Sequence, residues 1–408
     1  MKAIIQPSSL AGEIEAIASK SQAHRLLICA ALADRPTAIR CATLSADIRA
    51  TADCMSALGA SITYENGRFT VRPIGDLPDS AVIDCGESGS TLRFLLPVVC
   101  ALGIETDIVM HGRLPERPLS PLWEELERHG AVLTRPQPDI IHVAAAPLSG
   151  GEFTLAANIS SQFISGILFA LPLLGAESCI RLTGSLESAS YLEMTVRALR
   201  AFGVEALFSD GVYTLIPGQR YISPGSASVE GDWSNAAFWI CADRILGGTL
   251  SITGLDPDSP QGDRAAERTS LLIAAGSAVV DCRDIPDLVP VLAVLASVSP
   301  GTTRFINAGR LRLKESDRLA TTAALLTSLG AQVKELEDGL TVTGVRRLSG
   351  GEVYSANDHR IAMSAAVAAL ACDGPVILHG AEAVNKSDPA FWDDYRRLGG
   401  TVTWEEEP

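Results

Sequence analysis

Residues 318–343 read RLATTAALLTSLGAQVKELEDGLTVT. An amphipathic helix runs to Gly330, a residue suited to the left-handed conformation that closes a helix C-terminus. A strand then leads into Asp338-Gly339, a two-residue hairpin signal, and a second strand returns. The phrase of helix, glycine, small residue, any residue and apolar residue occurs six times. It reads LGASI from Leu58, HGAVL from His129, FGVEA from Phe202, AGSAV from Ala275, LGAQV from Leu329 and LGGTV from Leu398. Its glycines stand at 59, 130, 203, 276, 330 and 399, spaced by 71, 73, 73, 54 and 69 residues. Hairpin signals recur at Asn66-Gly67 and Asp210-Gly211. Self-similarity of this kind marks a repeated supersecondary unit.

Ahead of each phrase lies a second kind of helix. KSQAHRLLICAALA, SGSTLRFLLPVVCALG, SSQFISGILFALPLLG, DWSNAAFWICADRILG, PDLVPVLAVLASVS and DHRIAMSAAVAALAC are apolar on most faces, so they should be buried. A short strand follows each. The unit is therefore helix, strand, helix and hairpin, a βαβαββ pattern repeated six times in an α/β fold. Six units divide into two domains of three. The expected boundaries are 19–231 for the first domain and 232–408 plus 1–18 for the second. The sixth unit stops at TVTWEEEP one strand short, and MKAIIQPSS and GEIEAIAS offer strands to complete that domain. The crossings near 19 and 231 would be hinges.

Composition narrows the function. The 408 residues carry a formal charge of −15, which argues against non-specific binding to nucleic acid or anionic membrane. The longest strongly apolar run, Phe163 to Ala176, contains Pro172 and falls short of the ~20 residues that span a bilayer. The N-terminus does not read as a signal peptide, so the cytoplasm is expected. The nine cysteines include no C-x2-C spacing and the six histidines add no metal pattern. No metal site is expected.

The polar residues gather at helix starts: Ser19-Lys20-Ser21, Glu87-Ser88-Gly89-Ser90, Ser160-Ser161-Gln162, Asp232, Asp287 and Asn357-Asp358-His359-Arg360. Arg117, Ser188 to Tyr191, Lys314 to Arg318 and Lys386-Ser387-Asp388 begin others. Capping accounts for Ser, Asp and Asn there. It does not account for Lys20, Arg25, Arg93, Arg117, Lys314, Arg318, Arg360 and Lys386, because cations in a first turn oppose the helix dipole. Recurring beside free backbone N–H groups, they describe a site for anions. Asp287 and Glu315 stand among them as candidate acid–base groups, each equally readable as a cap or ion-pair residue.

The stretches SKSQAHR, GESGSTLR, ERP, SSQF, ESASY, IPD, RLKESDR, NDHRIA and VNKSDP, in this order along the chain, resemble the EPSP synthases (3-phosphoshikimate 1-carboxyvinyltransferases) of the enolpyruvyl transferase family. The resemblance implies a two-domain inside-out α/β barrel with the N-terminal strands in the C-terminal domain. It implies transfer of the enolpyruvyl group of phosphoenolpyruvate to the 5-hydroxyl of shikimate 3-phosphate, without metal or organic cofactor, by a monomer. Carried over residue by residue, Ser21 and Arg25 would hold the shikimate carboxylate. Ser160, Ser161, Ser188 and Lys314 would hold its phosphate, and Gln162 and Tyr191 would line the ring. Gly89, Arg117, Gln162, Arg318, Arg360 and Lys386 would bind phosphoenolpyruvate, with Lys20 between the two ligands. Asp287 is then the base for the 5-hydroxyl and Glu315 the proton carrier at C3. Arg310, Glu87 and Phe94 depart from the residues common in the family at their positions, Asn, Asn and Pro.

The residues assigned to shikimate 3-phosphate come from both halves, so that ligand is expected to draw the two domains together. A UDP-N-acetylglucosamine enolpyruvyl transferase would share the fold, but it carries a functional Cys in the loop that here reads HGRLPERPLSPL. A six-unit DNA clamp would need Lys- and Arg-lined helices, whereas half of these helices are apolar. The chemistry thus calls for no cysteine. A variant with all nine replaced by Ser or Ala should still release phosphate from phosphoenolpyruvate; one that folds yet is inert would point to the UDP-sugar enzyme.

Overall fold

The computed structural model describes residues 1–405. Its contacts divide the chain into two units, Met1–Ile17 with Gly231–Pro408, and Ala18–Glu230.

In the unit Ala18–Glu230, one arrangement recurs in three four-stranded sheets. Ser80–Asp84 and Glu105–Val109 run parallel, joined through the helix Gly89–Leu102. Leu133–Gln137 and Ile140–Val143 form a hairpin whose return strand lies antiparallel to Glu105–Val109. Glu152–Ala156, Cys179–Thr183, Ala206–Ser209 and Val212–Leu215 repeat that order. The remaining sheet holds Thr37–Arg40, Ser61–Glu65 and Arg68–Arg72, and its parallel edge comes from Ser226–Ser228 at the far end of the unit.

In the other unit, Val279–Asp281, Thr302–Ile306, Gln332–Leu336 and Gly339–Thr343 make the same sheet. Gly351–Tyr354 and Val376–His379 pair in parallel. Lys2–Gln6 inserts antiparallel between Val376–His379 and Thr401–Glu405. The third sheet has two strands, Gly12–Glu15 and Leu250–Thr253, in parallel. The expectation of six equal units is corrected here, because the fourth carries no hairpin. After the helix Ala266–Ala274 the chain enters Val279–Asp281, which is already the edge of the next sheet. Between Gly276 and the helical turn Pro286–Leu288 there is chain for one strand, not three. The 54-residue spacing of Gly276 and Gly330 is the trace of that loss.

The sheets cover helices that have almost no polar face. Every residue of His359–Ala369 is buried, as is Val289 through Ser297 of the next helix over. Thr91 through Cys100 of Gly89–Leu102 are buried as well. Gly166 lets the helix Ser161–Ala170 approach closely, since a Cβ there would lie 2.2 Å from the Arg93 carbonyl oxygen. Helices buried on all sides can present charge only at their ends, and this places the functional groups. Among the described residues no helix is long and apolar enough to cross a membrane.

Ile5 is fully buried and paired in register with Val376 and Val402. Ile5→Ala should lower the unfolding free energy by about 2–5 kcal/mol in urea titration. A loss well under 1 kcal/mol would mean that the N-terminal strand stands outside the cooperative core.

Candidate active site

The unit that holds residues 231–405 gathers its functional groups around Arg318, whose side chain is 1% exposed. Asp317 caps its helix by accepting from Ala320 N, so Arg318 is the first helical residue and turns inward. Its Nη1 donates to Asp287 Oδ1 at 2.7 Å, Nη2 to Glu315 Oε2 at 2.7 Å and Nε to Asp358 Oδ2 at 2.8 Å. Arg360, in the first turn of its own helix, donates through Nη2 to Asp287 Oδ2 at 3.2 Å and through Nη1 to the Asp287 carbonyl at 3.1 Å. Lys314 Nζ lies 3.4 Å from Asp287 Oδ1. Lys386 Nζ donates to the Asn357 carbonyl at 2.6 Å, which fixes it at the start of the same helix as Arg360.

The electrostatics follow from this packing. Burial by itself would raise the Asp287 carboxyl, but Arg360, Lys314 and Arg318 outweigh it and hold the group well below the carboxylate range. Burial lowers Lys314 despite Asp287. Burial would also lower Arg318, yet Asp358, Glu315 and Asp287 together push it up. Asp263, on the turn Gly262–Ala265, is raised to about 6 by burial and by Asp287.

In the unit Ala18–Glu230, Arg25 and Arg93 donate to neutral oxygens. Arg25, 2% exposed, donates to Thr195 Oγ1 at 2.8 Å, the Ser21 carbonyl at 2.6 Å and the Tyr191 carbonyl at 2.9 Å, and lies over the Phe94 ring at 5.0 Å. Burial pulls it down to about 10, so it stays charged at neutral pH. Arg93 donates to Gln162 Oε1 at 2.8 Å, and Gln162 Nε2 donates to Ser90 Oγ at 2.9 Å. Arg117 lies against Gly89, where a Cβ would come within 2.6 Å of its Nη1. A Cβ at this position would push the end of the Arg117 side chain away from the loop. Lys20 Nζ pairs with Asp47 Oδ2 at 2.7 Å. Ser160 caps the helix of Ser161 and Gln162 by accepting from Gln162 N at 3.3 Å. Ser188 is buried and left-handed (φ 54°, ψ 40°), a conformation that costs a non-glycine residue energy and concentrates at functional positions.

The structure thus brings Asp287, Lys314, Glu315, Arg318 and Arg360 into one network, with Lys386 anchored beside it. It brings Gln162 to Ser90 and Arg117 to Gly89, and it ties Arg25 to Ser21 and Tyr191. Three contributors were not singled out from the sequence as site residues. Asp358 reads there as a cap, and it is one, accepting from Arg360 N at 2.9 Å, but its other oxygen anchors Arg318. Asp47 follows a capping Ser45 with nothing in the spacing to place it beside Lys20. Arg93 stood out only as an unexplained cation. Of the departures, Arg310 donates to the Arg283 carbonyl, Glu87 lies against Gly112, and Phe94 supplies the ring beneath Arg25.

A repeated α/β fold with cations and carboxylates at the starts of buried helices defines a class of proteins that act on small anions. Solved structures share the fold. An EPSP synthase from Acinetobacter baumannii superposes with a TM-score of 0.80 at 24% identity, covering 99% of this chain and 100% of that one. The enolpyruvyl transferase NikO from Streptomyces tendae gives 0.78 at 16% identity, with 100% and 99% covered. A 3-phosphoshikimate 1-carboxyvinyltransferase of Clostridium perfringens is 41% identical over 423 residues, spanning 99% of this chain and all of the relative. One of Clostridium acetobutylicum is 41% identical over 421 residues, spanning 98% and 97%. The family model of EPSP synthase (3-phosphoshikimate 1-carboxyvinyltransferase) matches residues 4–395. The chain belongs to the EPSP synthase family.

In the same unit as Arg318, Asp388 is 1% exposed, and its Oδ1 accepts from Ala390 N at 3.2 Å. Burial, then Asp394 and Asp232, push it from 3.8 up to about 7 against a hydrogen bond from Asn235. An acid raised on folding binds more protons folded than unfolded between those two values, so stability falls as pH rises through the window. Asp388→Asn should remove that slope. It should match the wild type near pH 4 and exceed it by up to about 4 kcal/mol at pH 8. Denaturant titrations at the two pH values decide this; an equal gap at both would show that Asp388 does not titrate between them.

Proposed function

We propose that the chain transfers the enolpyruvyl group of phosphoenolpyruvate to the 5-hydroxyl of shikimate 3-phosphate, giving 5-enolpyruvylshikimate 3-phosphate and phosphate. The observation that carries this reading is the pair Asp287 and Glu315, each held at 2.7 Å by the buried Arg318 with Arg360 and Lys314 beside them. Two oriented carboxylates among cations are what proton transfer on an anionic substrate requires. Kinship to curated relatives of that name at 41% identity supports the substrate pair.

In this reading, Ser21, Arg25, Ser160, Ser161, Gln162, Ser188, Tyr191 and Lys314 hold shikimate 3-phosphate. Gly89, Arg117, Gln162, Arg318, Arg360 and Lys386 bind phosphoenolpyruvate, and Lys20 serves both. Planar guanidinium groups suit carboxylate and phosphate oxygens. The 5-hydroxyl oxygen bonds to C2 of phosphoenolpyruvate while its proton passes to Asp287 and Glu315 delivers a proton to C3. The tetrahedral intermediate then loses phosphate, which leaves with the proton held by Asp287, as a C3 proton returns to Glu315. The residues require no metal or organic cofactor. Around this site we read the family's two-domain inside-out barrel, its βαβαββ units three per domain and the fourth shortened, acting as a monomer. Nine free cysteines suit the cytoplasm, a reducing compartment.

A phosphate-release assay with phosphoenolpyruvate should show turnover with shikimate 3-phosphate and none with UDP-N-acetylglucosamine; the reverse would overturn the assignment. Asp287→Asn and Glu315→Gln should each slow turnover at least about 100-fold. Exchange of solvent deuterium into C3 should fall most in Glu315→Gln, and exchange at the wild-type rate there would remove Glu315 from the proton path.

A further inference from the structure

A chain of buried side-chain hydrogen bonds crosses the core of the unit Ala18–Glu230. His24 Nδ1 lies 2.6 Å from Thr51 Oγ1, Thr51 Oγ1 lies 2.7 Å from Thr91 Oγ1, and Thr91 Oγ1 donates to Ser88 Oγ at 2.7 Å. None of the four is more than 1% exposed. The chain joins three helices at their first turns or middles: Lys20–Ala31, Ala46–Ala57 and Gly89–Leu102. The first of these begins with Lys20 and Ser21. The third begins with Gly89 and is capped by Ser88, which also accepts from Thr91 N at 3.2 Å.

Each hydroxyl has one proton to give. Thr91 spends its proton on Ser88, so the contact with Thr51 must be a donation from Thr51 to Thr91. Thr51 then has none left for His24, and the ring must donate through Nδ1–H. That leaves Nε2 as a bare lone pair, buried and without a hydrogen-bond partner. The opposite ordering would bury an unpaired N–H instead, the rarer arrangement in proteins. The surroundings agree, because burial together with Lys20 and Arg25 holds the imidazole well below its usual pKa and so neutral.

We infer that this chain is a directional tether. It sets the Glu87-Ser88-Gly89-Ser90 loop against the Lys20-Ser21 turn, making His24, Thr51 and Thr91 positioning residues for phosphoenolpyruvate. Apolar packing tolerates small slides and rotations of one helix on another, whereas hydrogen bonds linked in series through shared hydroxyls hold a single register. Lys20–Asp47 is a second tie between two of the same helices, and it leaves the Gly89 loop unaddressed. The chain through Thr51 and Thr91 does reach that loop, at its capping Ser88. The inference rests on the proposed function for its choice of ligand; the proton ordering does not.

The experiment has two arms. Long-range proton–nitrogen correlation NMR on the wild-type protein reads which ring nitrogen of His24 carries hydrogen. Nδ1–H is expected, and Nε2–H would overturn the ordering whatever the enzyme does. Steady-state kinetics then compare Thr51→Val, which keeps the shape but breaks the chain, with Thr51→Ser, which keeps the hydroxyl. Thr51→Val should raise the KM for phosphoenolpyruvate at least about 5-fold, with kcat and the KM for shikimate 3-phosphate within about 2-fold, and Thr51→Ser should restore it. A fall in kcat alone would report lost folded enzyme, and equal KM values in all three proteins would report no positioning; either result overturns the tether. If Thr51→Val does not fold, Thr91→Val is read against the same expectations. Absence of turnover in the wild type would fail the functional reading and leave the NMR arm standing.

Discussion

A guanidinium that is 1% exposed must be compensated from every side, and Arg318 constrains much of its unit for that reason. Removing such an ion from water costs several kcal/mol, recovered only when partners of good geometry replace the solvent. The partners are Asp287, Glu315 and Asp358, drawn from a helical turn, the segment before Arg318 and the cap of another helix. No one of these segments can shift without exposing an uncompensated charge. The packing of the buried helices Val289–Val298 and His359–Ala369 is thereby locked at the ends, where apolar contacts alone specify least. The same contacts orient the carboxylates, so one interaction serves both stability and chemistry.

The two units treat their buried cations differently. Arg318 is surrounded by carboxylates, whereas Arg25 and Arg93 spend their donors on hydroxyl, amide and carbonyl oxygens and rest on the rings of Phe94 and Phe163 at 5.0 and 5.5 Å. Neutral acceptors satisfy hydrogen bonds without cancelling charge. The field of Arg25 is therefore left to act on anions, in a protein whose overall charge of −15 would otherwise repel them. Lys20 is the exception, paired to Asp47.

What the sequence makes legible is local. A Gly-closed helix followed by Asn66-Gly67 or Asp210-Gly211 needs particular backbone angles, and the residues announce them, so those hairpins stand where the pattern puts them; the hairpin expected to turn at Asp338-Gly339 turns one residue earlier, at Glu337-Asp338, with Gly339 paired to Leu336. The missing fourth hairpin was also written in the chain, as a spacing of 54 among spacings near 70, but periodicity alone weighs a short repeat as a repeat. Ser226–Ser228 is too short and too polar to read as a strand, and only its parallel pairing with Thr37–Arg40 defines it. At the site, the residue types were legible because cations at helix starts oppose the dipole. The tethers were not. A capping aspartate looks the same whether its second oxygen meets water or Arg318, and Asp358 and Asp47 acquire their partners through contacts some 40 and 27 residues away in sequence.

The depressed acidity of Asp287 bears on how the proposed reaction could be ordered. Held well below the carboxylate range by Arg360, Lys314 and Arg318, the group is a poor base in the protein alone. Those cations are the ones assigned to substrate phosphate and carboxylate oxygens. Anions arriving beside them would offset their pull, and because Asp287 is already desolvated its pKa must then rise. Basicity would thus appear when the ligands do. A carboxylate tuned in this way stays ionised and oriented while it waits, accepting the hydroxyl as a hydrogen-bond donor, and gains proton affinity only when the reacting groups are in place. The cost falls on stability, since charges arranged to be balanced by ligands are less well balanced without them. That cost is tolerable because Arg318, which no solvent reaches, carries enough compensation in Asp358 and Glu315 to hold the network together.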